Sequence, residues 1–200
     1  MRYKIPNLSE LKTPPQFIAA FVIAPADGDT LDLTQQVYAR TSYELSEAFF
    51  RIPHPVTSID LSYNNLGMMN KEELEEIFSH LSSSVTTLQT KGNGFCFPLE
   101  EFKEVFKAMK HINLVQIEEH DDDLKKIGSA EDIADMFASF TDKTIQLQGD
   151  SPFANKIMKL YSNKKQTVIN KDSFFQAKVE PNEKNKKIED PIEKKSQASI

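Results

Sequence analysis

Apolar residues recur along the chain in two alternating rhythms. Val56-Thr57-Ser58-Ile59-Asp60-Leu61-Ser62 alternates apolar and polar, the two-residue period of a strand with one buried face. Leu74, Ile77, Phe78 and Leu81 follow at spacings that put them on one side of a 3.6-residue helix. The same pair of rhythms returns at Val85-Thr86-Thr87-Leu88-Gln89, followed by Phe102, Val105, Phe106 and Met109. Weaker copies carry Leu31 and Leu33 before Leu45, Ala48, Phe49 and Ile52, then Val115 and Ile117 before Ile133, Met136 and Phe137, and finally Ile145 and Leu147. The units start at positions 28, 56, 85, 112 and 142, so they are 28, 29, 27 and 30 residues long. Upstream, Phe17, Ala20, Phe21 and Ala24 precede Leu45, Ala48, Phe49 and Ile52 by 28 residues, and Tyr3 and Ile5 fall where a capping strand belongs.

Helix-start signals keep the same phase. Thr41 with Glu44 and Asn70 with Glu73 have the spacing of a capping box, in which each residue satisfies a backbone N–H of the first turn. Pro98 suits a first turn, Ser129 and Ser151 suit N-caps, and Pro152 suits the first helical position. A unit of one strand and one helix cannot bury its apolar faces alone, so neighbours must stack into a parallel sheet with helices outside. Ile59 and Leu61 then point inward while alternate residues form polar rows on a concave face. The rows expected are Thr30, Ser58, Thr87, Leu114, Thr144; then Asp32, Asp60, Gln89, Gln116, Gln146; then Thr34, Ser62, Lys91, Glu118, Gln148.

Charge and cysteine content narrow the function classes. From Asn163 onward there are nine lysines and six acids, leaving 15 basic and 24 acidic residues in the body. A body of net charge −9 does not suit the neutralisation of a phosphate backbone, so nucleic acid is not expected as a partner. Cys96 is the single cysteine, which fits a reducing cytosol and allows no intramolecular disulfide or four-cysteine metal site. The opening Met1-Arg2-Tyr3-Lys4-Ile5-Pro6 has no apolar core of a signal peptide, and no run approaches the roughly 20 apolar residues of a membrane span. A cytoplasmic chain is expected, and export into a host cytosol would need a route that reads no N-terminal signal.

The segment Val56-Thr57-Ser58-Ile59-Asp60-Leu61-Ser62-Tyr63-Asn64-Asn65-Leu66-Gly67 resembles the leucine-rich repeat, L-x-x-L-x-L-x-x-N-x-L. With the linking phrase Leu81-Ser82-Ser83-Ser84-Val85-Thr86-Thr87-Leu88, it is similar to ribonuclease-inhibitor-like repeats in Legionella-type effector proteins. The likeness spans about 17–150 and is strong at 56–95. It implies an α/β leucine-rich-repeat solenoid, a short right-handed horseshoe with parallel strands on the concave face and helices on the convex face. The consensus asparagine, Asn64 and Asn93, is replaced by Gln36, His120 and Asp150 in the other copies, and the last leucine by Tyr38, Asp122 and Pro152. Those turns should be irregular. The expected organisation is a capping strand and helix at 1–27, repeats at 28–150, a capping helix and segment at 151–175, and a charged, disordered tail at 176–200.

The concave rows are the leading candidate contact surface, above all Ser58, Asp60, Ser62, Tyr63, Thr87, Gln89, Lys91, Asp32, Thr34, Leu114, Gln116 and Glu118. Tyr63 and Leu114 are the apolar anchors nearest the face. Glu118-Glu119-His120-Asp121-Asp122-Asp123 lacks the alternating spacing and central glycine of a calcium loop and is expected as a solvated turn between strand and helix, or as an acidic patch for a basic partner. Cys96, with no histidine beside it in sequence, is expected to be a small buried residue. His54, His80, His111 and His120 lie in different units, and the six glycines form no phosphate-cradling loop. No catalytic residue, metal or cofactor is expected.

After a last helix from Ser151 to about Ser162, Thr167-Val168-Ile169 and Phe174-Phe175 are expected to cover the open end of the sheet. The tail, with Glu180, Glu183, Glu189, Glu193, Ile192 and Ile200, is either an inert solubilising segment or, by resemblance, a C-terminal signal of type IV secretion. The sequence therefore predicts a monomeric, non-enzymatic module that binds a protein, in one reading a bacterial effector engaging a host protein. In the other reading it is an inhibitor or adaptor of an enzyme inside the producing cell.

Overall fold

The computed structural model describes residues 1–23 and 29–179, with side chains at 1–22 and 29–166. The unit start expected at Gly28, the inward position Ala24 and the acids and isoleucines named beyond Val179 lie outside the described residues. The chain divides into two compact units, Met1–Lys165 and Gln166–Ile200.

The first unit is one six-stranded parallel sheet. Its strands β1 (Arg2–Lys4), β2 (Thr30–Asp32), β3 (Ser58–Asp60), β4 (Thr87–Gln89), β5 (Leu114–Ile117) and β6 (Thr144–Leu147) pair strictly in chain order. Helices α1 (Pro14–Ala20), α2 (Ser42–Phe50), α3 (Lys71–Ser79) and α4 (Leu99–Ala108) occupy the successive connections, and α5 (Asp121–Ile127) and α6 (Ala130–Ser139) share the one after β5. The sequence pattern did not separate α5: Asp121, Asp122 and Asp123, expected in a turn, form its first turn, where carboxylates offset the positive end of the helix dipole.

Local signals act as read. Thr41 and Glu44 form a reciprocal capping box, as do Asn70 and Glu73, and Ser129 Oγ accepts the Asp132 N–H at 3.1 Å. The inward column Leu31, Ile59, Leu88, Val115, Ile145 is in register across five strands, and each side chain is almost wholly buried. Aromatic rings join one unit to the next: Phe17, Phe21 and Phe49 at the start, then Phe102, Phe106, Phe137 and Tyr161 with centroids 5.0–6.1 Å apart. Each such buried ring contributes about 1.5–3 kcal/mol, so the stack depends on neighbours rather than on any single unit.

The last strand is an edge. Its outward N–H groups are satisfied by α7 (Pro152–Val179): Ile145 donates to Tyr161 Oη at 3.3 Å and Leu147 to Met158 Sδ at 3.4 Å. Edge cover thus comes from α7 ahead of Ser162. The backbone at Thr167-Val168-Ile169 and Phe174-Phe175 is helical, because α7 runs on to Val179.

Candidate protein-interaction surface

The parallel register places the expected rows side by side. Arg2, Thr30, Ser58, Thr87, Leu114 and Thr144 form one line across the sheet, and Lys4, Asp32, Asp60, Gln89, Gln116 and Gln146 form the next. In the third row Lys91 Nζ meets Glu118 Oε2 at 3.1 Å, and Ser62 Oγ accepts the Lys91 N–H at 3.3 Å.

Two ends of this face differ. At the β1 end, Arg2 reaches across two strands: its Nε lies 3.0 Å from Asp32 Oδ2, and an Nη hydrogen-bonds Asp60 Oδ2. The remaining oxygens are also engaged, Asp32 Oδ1 by the Thr34 N–H at 3.0 Å and Asp60 Oδ1 by the Ser62 N–H at 2.9 Å. Although burial opposes it, hydrogen bonds from Thr34 and the charge of Arg2 hold the Asp32 carboxyl below its ordinary range. Asp60 and Ser62 are buried. Of the candidate contacts, these two are closed off by the fold and Asp32 is already paired. Toward β6, Thr87, Gln89, Leu114 and Gln116 are part-exposed, with Gln116 Nε2 donating to Gln146 Oε1 at 2.7 Å.

Past the strands, a ladder of buried side chains stitches the turns. Asn64 Oδ1 accepts the Val37 N–H at 2.8 Å, while its Nδ2 donates to Leu33 O and Leu61 O, each at 2.9 Å. Asn93 Oδ1 accepts the N–H groups of Asn64 and Leu66 at 3.0 and 3.2 Å. The next rung is Glu119, one residue earlier than the position the consensus assigns to His120, which is exposed. Burial, partly countered by the N–H groups of Gly94 and Asn93 and reinforced by Asp123, pushes the Glu119 carboxyl up to about 7. At the other end, the Gln36 side chain takes the position and donates to Ile5 O at 3.3 Å.

Tyr63 stands at the head of this turn edge. It has a left-handed backbone, φ 59°, and is 48% exposed. Its ring lies over Gly92: a methyl group there would come within 2.5 Å of the ring, and Gly92 itself has φ +59°. Two hollows adjoin at Tyr63. One, of about 480 Å³, is lined by Gly92, Glu118, Glu119, His120 and Asp121; the other, of about 510 Å³, by Met68, Gly94, Glu119 and Asp123.

No protein-family model and no curated protein matches the chain. Among solved structures, it is similar to the leucine-rich repeat-containing protein LegL7 from Legionella pneumophila. That likeness has a TM-score of 0.63 at 27% sequence identity, over 82% of this chain and 53% of the other.

The fold is a leucine-rich-repeat solenoid.

The chain spans about half the length of that Legionella protein. The tropomodulin C-terminal domain of Caenorhabditis elegans superimposes at a TM-score of 0.43 with 9% identity, over 82% of this chain and 99% of that one. Leiomodin-1 actin-binding site 2 gives 0.44 with 9% identity, over 85% and 99%. At these scores neither bears on what the chain binds.

Within the solenoid, Cys96 is exposed, which corrects the buried position expected: Phe95 and Phe97 on either side point into the core, and alternation turns Cys96 outward. His54, His80, His111 and His120 are all exposed. Among the described residues, no group of three or more His, Cys, Asp or Glu side chains is placed to hold a metal ion, and no helix is long and apolar enough to cross a membrane. The sequence reading missed three structural residues. Arg2 becomes legible once β1 is registered against the aspartate row. Glu119 is hidden by the one-residue shift, and Lys143 is a buried lysine that no local pattern marks.

Proposed function

We propose that this solenoid is a non-enzymatic module that binds a protein through the open sheet face and its turn edge, and that it acts as a secreted bacterial effector on a host protein. Likeness to a leucine-rich-repeat protein supports the interaction-module part. The observation that carries the choice of surface is Tyr63, an exposed aromatic held over Gly92 between two hollows, beside a sheet face on which Lys4, Thr144 and Gln146 are exposed. Parallel sheets are ordinarily covered on both faces, so an open one is available for recognition. Aromatic side chains at the centre of such surfaces carry a large share of binding energy, about 2 kcal/mol or more on truncation.

The contact runs from Tyr63 along Gln89, Leu114 and Gln116 to Glu118, because Asp32 and Asp60 are engaged by Arg2. Carboxylates at Glu118, Asp121 and Asp123 line the hollows; Lys91 pairs with Glu118, Lys126 with Asp123 and Ser151 bonds Asp121, and the oxygens left over favour a partner segment bearing lysine or arginine next to an apolar residue. The effector role rests on the Legionella likeness and on the repeat phrases at 56–95.

The test is affinity purification with the full chain from host-cell and bacterial lysates, in parallel with Tyr63→Ala and Glu118→Lys. A protein captured from the host lysate and lost with both variants is the expected result. Capture from the bacterial lysate alone would favour an inhibitor or adaptor acting in the producing cell. Undiminished capture by both variants would overturn the assigned surface.

A further inference from the structure

The solenoid register makes the outer faces of successive helices directly comparable. In α3, the positions turned fully to solvent are Glu72, Glu76 and Ser79, at i, i+4 and i+7. The same positions in α4 carry Glu100, Glu104 and Lys107, and Lys107 pairs with Glu104 at 2.6 Å. This is the charged, ion-paired stripe of a solvated helix.

Going back one unit, 29 residues, the same three positions in α2 are Tyr43, Glu47 and Phe50. Tyr43 is 61% exposed and Phe50 is 69% exposed, although the rest of α2 is largely buried. A further 28 residues back they are Pro15, Ala19 and Val22, all exposed, in a stretch with no charged residue between Lys12 and Asp27. The outer stripe therefore changes from mainly apolar, with Glu47 its one acid on α2, to acidic on α3. Phe17 and Phe21, 5.2 Å apart and continued by Phe49 at 6.0 Å, pack α1 and α2 side by side and so bring the two apolar stripes together. Contiguous exposed apolar surface is where proteins associate, whereas apolar residues scattered singly carry no such meaning.

We propose that the α1–α2 face is a self-association surface, and that its occupant is the same face of a second copy of this chain. Charge selects that occupant. The chain carries a net −6; α3 has one lysine against four glutamates and α4 two lysines against three, so even with their ion pairs these helices keep an acidic balance that disfavours a second copy meeting them. The α1–α2 face is the part of the helix layer where they can approach without that cost: α1 is uncharged, and on α2 Glu47 is balanced by Arg51 at 2.7 Å. A two-fold interface must be self-complementary, and uncharged, aromatic-rich surfaces fulfil this readily. A two-fold axis along the helix direction, between α1 and α2, seats α1 of each copy on the Tyr43–Phe50 stripe of the other and leaves the acidic helices on opposite sides. This face is separate from the open sheet face, so a dimer keeps both copies of Tyr63 free to bind, and it departs from the monomer expected from the sequence.

The experiment is sedimentation equilibrium or light scattering of the full chain from about 1 to about 500 µM, a range that brackets weak to moderate dimers. The expected mass climbs from 22.8 kDa toward twice that value. Tyr43→Glu with Phe50→Ser installs residues that the next unit carries at the same positions; it should weaken self-association at least tenfold while the thermal melt stays within about 2 °C, as surface changes do. Ala19→Glu tests the same face from α1 should the first variant fold poorly. A wild-type mass of 22.8 kDa throughout, or dimers that persist in both variants, overturns the proposal. So does a monomeric chain whose face variants alone lose a different co-purifying protein, since that would give the face another occupant.

Discussion

Glu119 accepts the backbone N–H of Asn93 at 3.2 Å, as Asn93 in turn accepts that of Asn64 at 3.0 Å. A largely buried carboxyl group thus completes a ladder that asparagines begin. An amide can serve such a position at any pH; a carboxyl cannot.

Stability should fall as pH rises from about 4.5 to about 7. Glu119 has an ordinary value of 4.5 and a folded value of about 7, so across that window the folded chain keeps a proton that the unfolded chain has released. The loss is at most roughly 3 kcal/mol. Asp32, Glu44 and Asp142 are held low and act in the opposite sense, losing their contribution as pH falls through and below 3.8 to 4.5. Denaturant titrations at pH 5 and pH 8 should show greater stability at pH 5, and Glu119→Gln should flatten the difference. An unchanged slope in the variant would assign the effect elsewhere.

Asn64→Ala removes the acceptor for Val37 and the donors for Leu33 and Leu61 while leaving those backbone groups buried. The expected cost is about 3 kcal/mol, because an orphaned buried polar group forfeits its full solvation. Urea unfolding at constant m-value measures it, and a midpoint within error of wild type would show that the turns do not rely on the ladder.

Lys143 is buried, and its ammonium donates to Met109 O at 2.9 Å, Ile112 O at 3.3 Å and Asp142 Oδ2 at 2.9 Å. From just ahead of β6 it closes the carbonyl end of α4 and the connection into β5. Lys143→Ala should destabilise by about 2–3 kcal/mol, since both carbonyls lose a charged donor. A thermal shift of less than about 2 °C would contradict this role.

Arg2→Ala should loosen the β1 end by about 1 kcal/mol, a figure kept small because the Arg2 side chain is 52% exposed and solvent screens its charge. Hydrogen exchange at Thr30, whose N–H donates to Met1 O at 3.2 Å, reports the loosening locally. Unaltered exchange there would mean that β1 is held by packing alone.

Gly92→Ala combines a left-handed backbone with a methyl group in the space of the Tyr63 ring. It should destabilise the fold by about 1–2 kcal/mol and displace Tyr63, so partner capture should drop even where the variant is fully folded. Retained capture by folded Gly92→Ala would show that the ring position is not used.

Much of this architecture is legible from spacing. Alternation at Ile59 and Leu61 and the helical period of Leu74, Ile77 and Phe78 required units that stack, and the three-residue interval from Asn70 to Glu73 fixed where a helix begins. The sheet register then followed, because units of nearly constant length leave one way to align their strands. Less was legible at the contact surface. Sequence position alone made Asp32 and Asp60 outward acids available to a partner; Arg2 cancels them from a strand 28 residues upstream of Asp32's own.

The chain by itself therefore determined the repeating unit, its inward faces and the identity of the outward rows, since these depend on periods of two and 3.6 residues within short segments. Tertiary structure alone decided which outward groups are spent and which are open. It set Arg2 across two aspartates, moved the ladder rung from His120 to Glu119, and buried Lys143 against the carbonyls of Met109 and Ile112. Each of these depends on a distance between units, and pairing, desolvation and burial are properties of neighbours in space that no single repeat encodes.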